Sequence, residues 1–323
     1  MPKFQENIAL SKFSHYKIGG SARFFFEAKT EKEIIWAIKA AKTHKLSIFI
    51  LAGGTNLLIG DEGFNGLVLR PDIQKITIKK GFATAGAGVW MLDLVKESAA
   101  KSLSGLEWAG GLPGTFGGAV RGNAGCFGGE IKDSIRSVRS FDIKKMAFVE
   151  RTAKECAFGY RQSIFKKKNG NEIIISATIQ LEKGDKKAIT KAIKEKIDYR
   201  KKNHPLEYPN VGSIFKNVPL RALHEAKSEQ YKKALREARL TFHGSTFSVK
   251  TDPFPVISAG KLISETGLRG VSFGGAMISP KHPNFIVNVL NASSPDVKNL
   301  MMLAKAEVQK KFGIDLEEEV QMI

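Results

Sequence analysis

Apolar positions in this chain recur at two spacings, and the switches between them mark its elements. Ile34, Ile35, Ile38 and Ala41 fall at the interval of a helix that buries one face. Thr30-Glu31-Lys32-Glu33 stands just before them and has the form of a capping box. Residues 47–52 form a short continuous apolar run of the buried-strand type, closed by Gly53-Gly54. The pattern is helix, strand, glycine loop. Further strands are predicted over 66–70, 76–79 and 82–85, and a helix over 91–101. Three more strands, 138–143, 147–151 and 173–181, are expected to join in one mixed sheet. Residues 185–202 read as a basic helix and a domain boundary.

A second domain is expected from about Tyr208. Residues 261–266 read as a helix bounded by Gly267, and 285–290 as a buried strand. Ser294-Pro295 suits an N-cap and first turn. Val297, Leu300, Met301, Ala304, Val308 and Phe312 continue as an amphipathic helix, which Gly313 is placed to stop. The last stretch, 315–322, reads as a strand or extended tail.

A chain of 323 residues has room for about two or three domains. No run of about 18 apolar residues occurs, so no membrane span is expected. Residues 1–10 lack the apolar core of a signal peptide, which predicts a cytoplasmic protein. Cys126 and Cys156 are the only cysteines, too few for a disulfide framework. No Cys-x-x-Cys or His-x-x-x-His pair is present, so no metal site is expected. Lys and Arg number 51 against 32 Asp and Glu, a net charge of +19. Such a charge serves either phosphate neutralisation on nucleic acid or steering of phosphorylated and carboxylated small molecules. The lysines lie in scattered runs (166–168, 191–202) without a nucleic-acid-reading signature, so no nucleic-acid partner is expected.

The loop Gly53-Gly54-Thr55-Asn56-Leu57 follows a predicted strand and offers turned N–H groups and side-chain donors. It is either a plain turn or an anion cradle. It is neither Gly-x-Gly-x-x-Gly nor a Walker loop, and Gly86-Ala87-Gly88 also lacks its third glycine, having Met91 there. A denser zone holds Gly110, Gly111, Pro113, Gly114, Gly117 and Gly118, then Asn123, Gly125, Gly128 and Gly129. So many glycines weaken a fold unless something approaches the backbone closely. Two such regions suggest a long phosphate-bearing cofactor running between them. Arg161, after Tyr160, is either a surface arginine or a bidentate carboxylate clamp. Gly212-Ser213-Ile214-Phe215-Lys216-Asn217 sets a hydroxyl, a cation and an amide close together, with no hydrolase elbow around the serine. Glu317-Glu318-Glu319 is an ordinary charged tail or, if a strand, puts Glu317 and Glu319 on one face. His282 and Cys126 have no catalytic partner in the sequence and are read as structural.

Taken in order, Lys17 to Ala22, the Gly53–Asn56 loop, the Gly111–Gly129 zone, Tyr160-Arg161, the Gly212–Asn217 segment and Leu316 to Val320 closely resemble the UDP-N-acetylenolpyruvoylglucosamine reductases (MurB). The likeness runs from Phe13 to Val320, and the glycine loops alone would be shared with other vanillyl-alcohol-oxidase-type flavoproteins.

The resemblance implies an α+β fold. An FAD-binding domain of the vanillyl-alcohol-oxidase/PCMH type, in two α+β subdomains, would occupy 1–203. A C-terminal α+β substrate domain would occupy 204–323, with an insert at 220–258. It implies bound FAD, NADPH as reductant, and UDP-N-acetylglucosamine enolpyruvate as the substrate reduced to UDP-N-acetylmuramate. A monomer or weak homo-oligomer is expected. Gly53, Gly54, Thr55, Asn56, Leu57, Gly111, Pro113, Gly114, Gly117, Gly118, Asn123, Gly125 and Gly129 would bind FAD. Ser213 would deliver a proton, Arg161 would hold the substrate carboxylate, and Glu319 would lie near that centre. Tyr160, Lys216 and Asn217 would contact the substrate.

The chain departs from the family pattern in places. Val218 stands where proline usually follows Phe-Lys-Asn. A basic stretch over 222–240, expected helical, lengthens the link to Ala259, and the insert is expected to be inert or modestly tuning. The interval from Arg161 to Ser213 is short, like the variant lacking an extra tyrosine-bearing loop.

Overall fold

The structure, a computed structural model, describes residues 3–167, 171–223, 228–251 and 254–323. Lys168 of the lysine run, and 224–227 and 252–253 of the insert, lie outside the described residues. The chain divides into two compact units. One comprises the chain through Ala9 with Ser21–Gly54 and Gly63–Lys202, the other Leu10–Gly20, Thr55–Glu62 and Asn203–Ile323. The main division falls at the end of the basic helix, between Lys202 and Asn203. Two short segments expected in the N-terminal domain belong to the second unit instead. The reason is burial: Tyr16, Ile18 and Leu58 lie in the second unit's core.

The first unit contains two sheets. Strands β1 (Gln5–Ala9), β2 (Ser21–Ala28), β3 (Ile48–Ile50) and β4 (Phe64–Pro71) form one, in the order β1-β2-β4-β3. Its β2–β4 and β3–β4 pairs are parallel, and β1–β2 is antiparallel. Helix α1 (Glu31–Thr43) packs Ile34, Ala37, Ile38 and Ala41 with Leu67 and Leu69 of β4. Its capping box forms as predicted: Thr30 Oγ1 accepts from Glu33 N at 3.2 Å, and Glu33 Oε2 accepts from Thr30 N at 3.0 Å.

The other sheet holds β5 (Ile76–Lys79), β6 (Phe82–Gly86), β7 (Ile135–Asp142), β8 (Ala147–Thr152) and β9 (Glu172–Gln180), in the order β8-β7-β9-β6-β5. Every pair is antiparallel, so the expectation of a mixed sheet here is corrected. Tight turns dictate this. Lys80 and Gly81 both take left-handed backbone (φ 49° and 80°), the signature of a two-residue hairpin. Asp142 Oδ1 accepts from Lys144 N and Lys145 N at 2.9 and 3.0 Å, turning β7 into β8. Helices α2 (Met91–Ala100) and α3 (Phe116–Gly122) share this half's core with the basic helix α4 (Lys186–Asn203), which buries Ile189 and Ile193.

In the second unit the insert is not a loose appendage. Within the stretch expected helical, 222–240, helix α5 (Glu229–Glu237) forms, and the hairpin of β10 (Arg239–Phe242) with β11 (Ser245–Ser248) begins before the stretch ends. Leu220, Ala234, Leu240 and Phe247 join the core. Helix α6 (Ala259–Glu265) follows, then the three-stranded sheet β12 (Ser272–Phe273), β13 (Ala276–Ile278) and β14 (Ile286–Asn288). Helix α7 (Ser294–Phe312) ends in Phe312, whose ring takes Phe247 edge-on at 5.5 Å.

Gly313, at φ 65°, stops α7 as predicted, but the N-cap is Ser293 rather than Ser294. A box decides it: Ser293 Oγ accepts from Asp296 N at 3.2 Å, and Asp296 Oδ2 accepts from Ser293 N at 2.9 Å. The Ser293 N–H, with Gly275 N–H behind it, holds the Asp296 carboxyl below its ordinary pKa. A carboxyl lowered by folding stabilises the protein above its unfolded pKa, and that stability is lost as pH falls through the folded value. Asp296→Asn should therefore show a shallower acid loss of stability than the parent, read as urea midpoints from neutral pH downward. An unchanged acid slope would rule out this contribution.

Candidate active site

The two glycine-rich regions meet in the first unit. A Cβ placed on Gly53 would lie 3.0 Å from Gly114 Cα and 3.0 Å from Thr115 N. A side chain at 53 would force the facing backbone to give by a few tenths of an ångström, so glycine suits this approach. Met91 N donates to Gly114 O at 3.0 Å and Phe116 N to Val89 O at 2.7 Å, fixing the loop at the start of α3. Gly111 and Gly114, flanking Leu112-Pro113, are left-handed (φ 69° and 107°), and Gly117 and Gly118 form the first turn of α3.

Thr115 is the N-cap of α3, yet its side chain makes no capping bond. Its Oγ1 is buried and has no hydrogen-bond partner among the described residues. A buried hydroxyl left so costs roughly 1–3 kcal/mol. An unsatisfied donor beside two glycine loops fits a polar, phosphate-bearing ligand such as FAD. Sequence reasoning passed over Thr115, although Gly-Thr before a helix start was a visible N-cap signal.

Gly125 and Gly129, further along the zone, are closely packed by the protein itself. A Cβ on Gly129 would come within 2.4 Å of the Trp108 ring. Asn123, expected on the cofactor, is fully buried and works as a staple. Its Nδ2 donates to Glu130 Oε2 at 3.2 Å and to Gly159 O at 3.0 Å, and its Oδ1 accepts from Lys132 N at 3.0 Å. Cys126 Sγ accepts from Arg200 Nη2 at 3.0 Å, while burial pushes its thiol pKa up. Burial outweighs the opposing pull of Arg200, and a thiol held protonated suits a structural cysteine.

Arg161 is set against this zone rather than loose on the surface. Gly159 and Gln162 exchange backbone hydrogen bonds of 3.0 Å around a two-residue tip, Tyr160-Arg161. Arg161 Nη2 donates to Gly125 O at 2.8 Å, and its guanidinium lies 5.0 Å from the Tyr160 ring centre. Lys166 Nζ donates to Arg161 O and Ser163 Oγ to Arg121 O, tying the tip to the end of α3. Arg161 has left-handed backbone, φ 54°. For a residue with a Cβ this is strain held by its surroundings.

The segment that follows Ser213 pairs with residues 317–320 through its backbone in the second unit. Glu319 N donates to Ile214 O at 2.7 Å, Val320 N to the same oxygen at 3.2 Å, and Lys216 N to Glu317 O at 2.9 Å. Phe215 and Glu318 form an antiparallel bridge between these pairs. The acidic run is thus built into the unit. Glu317 pairs with buried Lys216, and Glu318 Oε1 accepts from Lys305 Nζ at 2.7 Å. Burial raises the Glu318 pKa, but the Lys305 bond and its companions outweigh this and hold it below its ordinary value.

Several side chains expected at ligands have partners within the protein. Lys216, expected at the substrate, is held by Glu317. Asn217 Oδ1 accepts from Ala259 N, the first helical N–H of α6, at 3.3 Å. Asn56 Nδ2 donates to Glu319 O at 3.1 Å, and Gln321 N donates back to Asn56 O at 3.1 Å. Leu57-Leu58 pairs in parallel with Gln321-Met322. Thr55, Asn56 and Leu57, expected with the cofactor, therefore belong to the second unit. Asn284, which sequence reasoning missed, binds both sides of Phe215. Its only sequence signal was a polar residue heading an apolar run. Among the described residues no group of three or more His, Cys, Asp or Glu could hold a metal, and no helix is long and apolar enough to cross a membrane.

Residues 204–323 match the family model of the UDP-N-acetylenolpyruvoylglucosamine reductase C-terminal domain, and residues 22–144 match that of an FAD-binding domain. The UDP-N-acetylenolpyruvoylglucosamine reductase of Lachnoclostridium phytofermentans is 36% identical over 323 residues, covering 98% of this chain and 92% of the relative. That of Lactobacillus gasseri is 37% identical over 326 residues, covering 99% and 93%. The crystal structure of the reductase (MurB) from Thermus caldophilus superposes with a TM-score of 0.75 at 30% identity, covering 99% of both chains. With near-full-length identity above 30% to such relatives, the chain belongs to the UDP-N-acetylenolpyruvoylglucosamine reductase family.

Proposed function

We propose that the chain catalyses the NADPH-dependent, FAD-mediated reduction of UDP-N-acetylglucosamine enolpyruvate to UDP-N-acetylmuramate, a peptidoglycan precursor. The observation that carries this reading, beside family membership, is the pairing that sets the Ser213 segment against the Glu319 segment. Bound FAD, reduced by NADPH, would supply the hydride equivalent that the methylene carbon of the enolpyruvyl ether takes up. Gly53, Gly54, Gly111, Pro113, Gly114, Gly117 and Gly118, with the Thr115 hydroxyl, would hold its phosphates.

Arg161 binds the substrate carboxylate. Negative charge builds on the neighbouring carbon as hydride arrives, and a fixed cation at the carboxylate stabilises it. Ser213 donates its proton to that carbon. A serine is a weak acid, but a carbanion is a strong base, and an oriented hydroxyl delivers to one face only. Glu319 stands next to this centre. Tyr160 supports the Arg161 guanidinium from its ring face. We place the protein in the cytoplasm, as a monomer or weak homo-oligomer, without membrane or nucleic-acid partners.

An anaerobic visible spectrum tests the reading. Flavin absorbance should bleach with NADPH and return with UDP-N-acetylglucosamine enolpyruvate. Bleaching without return would refute the substrate, and a protein that takes up no flavin would refute the cofactor site.

A further inference from the structure

We infer that Asn284 is a positioning residue for the proton donor, holding the backbone beside Ser213 in one register. The inference rests on the assignment of Ser213 above. Asn284 is buried and lies just before β14. Its Oδ1 accepts from Phe215 N at 2.9 Å and its Nδ2 donates to Phe215 O at 2.8 Å. Its own carbonyl accepts from Ile214 N at 2.8 Å. A carboxamide carries a donor and an acceptor side by side, so it can pair with both peptide groups of one residue as a neighbouring strand would.

The other side of the segment is taken by the C-terminal run, where Ile214 O accepts from Glu319 N and Val320 N. Every backbone N–H and C=O of Ile214 and Phe215 is therefore bound, two of these four groups by the Asn284 side chain. Gly212, on the far side of Ser213, is left-handed (φ 83°), and a Cβ there would meet nothing within 4 Å. The serine thus sits between a glycine with open space beside it, its N–H given to Asn210 Oδ1 at 3.1 Å, and a fully bonded dipeptide. Its aim depends on the bonded side.

The loop bearing Asn284 is itself pinned. Ser279 N donates to Phe285 O at 2.8 Å and Phe285 N to His282 O at 2.9 Å, while Ser279 Oγ accepts from Lys281 N and His282 N. Gly260 lies beside it, where an added Cβ would stand in ordinary contact with Asn284 Cβ at 3.4 Å. Asn284→Asp keeps the shape but turns an oxygen towards Phe215 O. The repulsion loosens the serine without touching its hydroxyl.

The test follows both half-reactions by stopped-flow flavin absorbance in the FAD-loaded protein, for Asn284→Asp, Ser213→Ala and the double variant. A misaim of about 1 Å can cost on the order of 100-fold. Asn284→Asp should slow reoxidation by the sugar nucleotide roughly 10–100-fold and leave bleaching by NADPH within about twofold. In the Ser213→Ala background the same change should cost less than about threefold, since no hydroxyl remains to aim. Asn284→Ala, which removes the carboxamide without adding charge, gives the same comparison if the aspartate variant fails to fold. Equal slowing of both halves, or full additivity with Ser213→Ala, would make Asn284 merely structural and overturn the proposal. If Ser213→Ala alone leaves reoxidation intact, the Ser213 assignment falls, and the role of Asn284 falls with it.

Discussion

Ser213→Ala should bleach normally with NADPH and then reoxidise with the enolpyruvyl sugar nucleotide about 100- to 10,000-fold more slowly, the range a positioned general acid contributes. The substitution removes one oxygen and leaves the frame alone. Ile214 and Phe215 keep their bonds to Asn284, Glu319 and Val320, none of which uses the serine hydroxyl. The adjoining φ of 83° belongs to Gly212, so alanine at 213 meets no backbone demand for glycine. Flavin content and unfolding midpoint should match the parent. The loss belongs to the second half-reaction alone, because only there does a carbon need a proton. Equal loss in both halves would show that the residue shapes the cleft and donates nothing.

Local signals were legible wherever a residue's partner lies within a turn or two. The Thr30–Glu33 capping box, the apolar stripe of α7 and its stop at Gly313 depend on neighbours at most a few positions away, and each formed. The N-cap of α7 slipped by one residue because Ser293 and Ser294 are the same chemistry, and only Asp296 at the third helical position chooses between them.

Non-local pairing was hidden. Nothing within 55–57 reveals that Asn56 will bond Glu319 and Leu57 will pair with Gln321, so the division of this loop between two units was not legible. The glycines were read correctly as places of close approach, but the approaching atoms are often the protein's own, as at Gly129 beneath Trp108. The insert misled for a related reason. Its polar face dominates the sequence, while Phe247 and Leu240 find their apolar partners only in the folded core.

Arg161→Ala is expected to slow reoxidation by the sugar nucleotide about 100- to 1,000-fold, the loss of one well-placed group facing developing charge. Lysine should restore little, because a carboxylate is matched in two contacts by a planar guanidinium and in one by an ammonium. The backbone supplies an independent check. Arg161 is left-handed at φ 54°, a conformation that costs a residue with a Cβ about 1–2 kcal/mol relative to glycine. Arg161→Gly should therefore be as slow as Arg161→Ala in turnover yet more stable to urea by roughly that 1–2 kcal/mol. Electrostatic function and backbone strain then separate at one position. If glycine and alanine are equally stable, the strain is not real. If either variant reoxidises at the parental rate, the carboxylate is held by another group. Strain that could be relieved by one substitution, but is borne at an arginine whose guanidinium is tied to Gly125 O, is what a site should show when the side chain matters more than the turn.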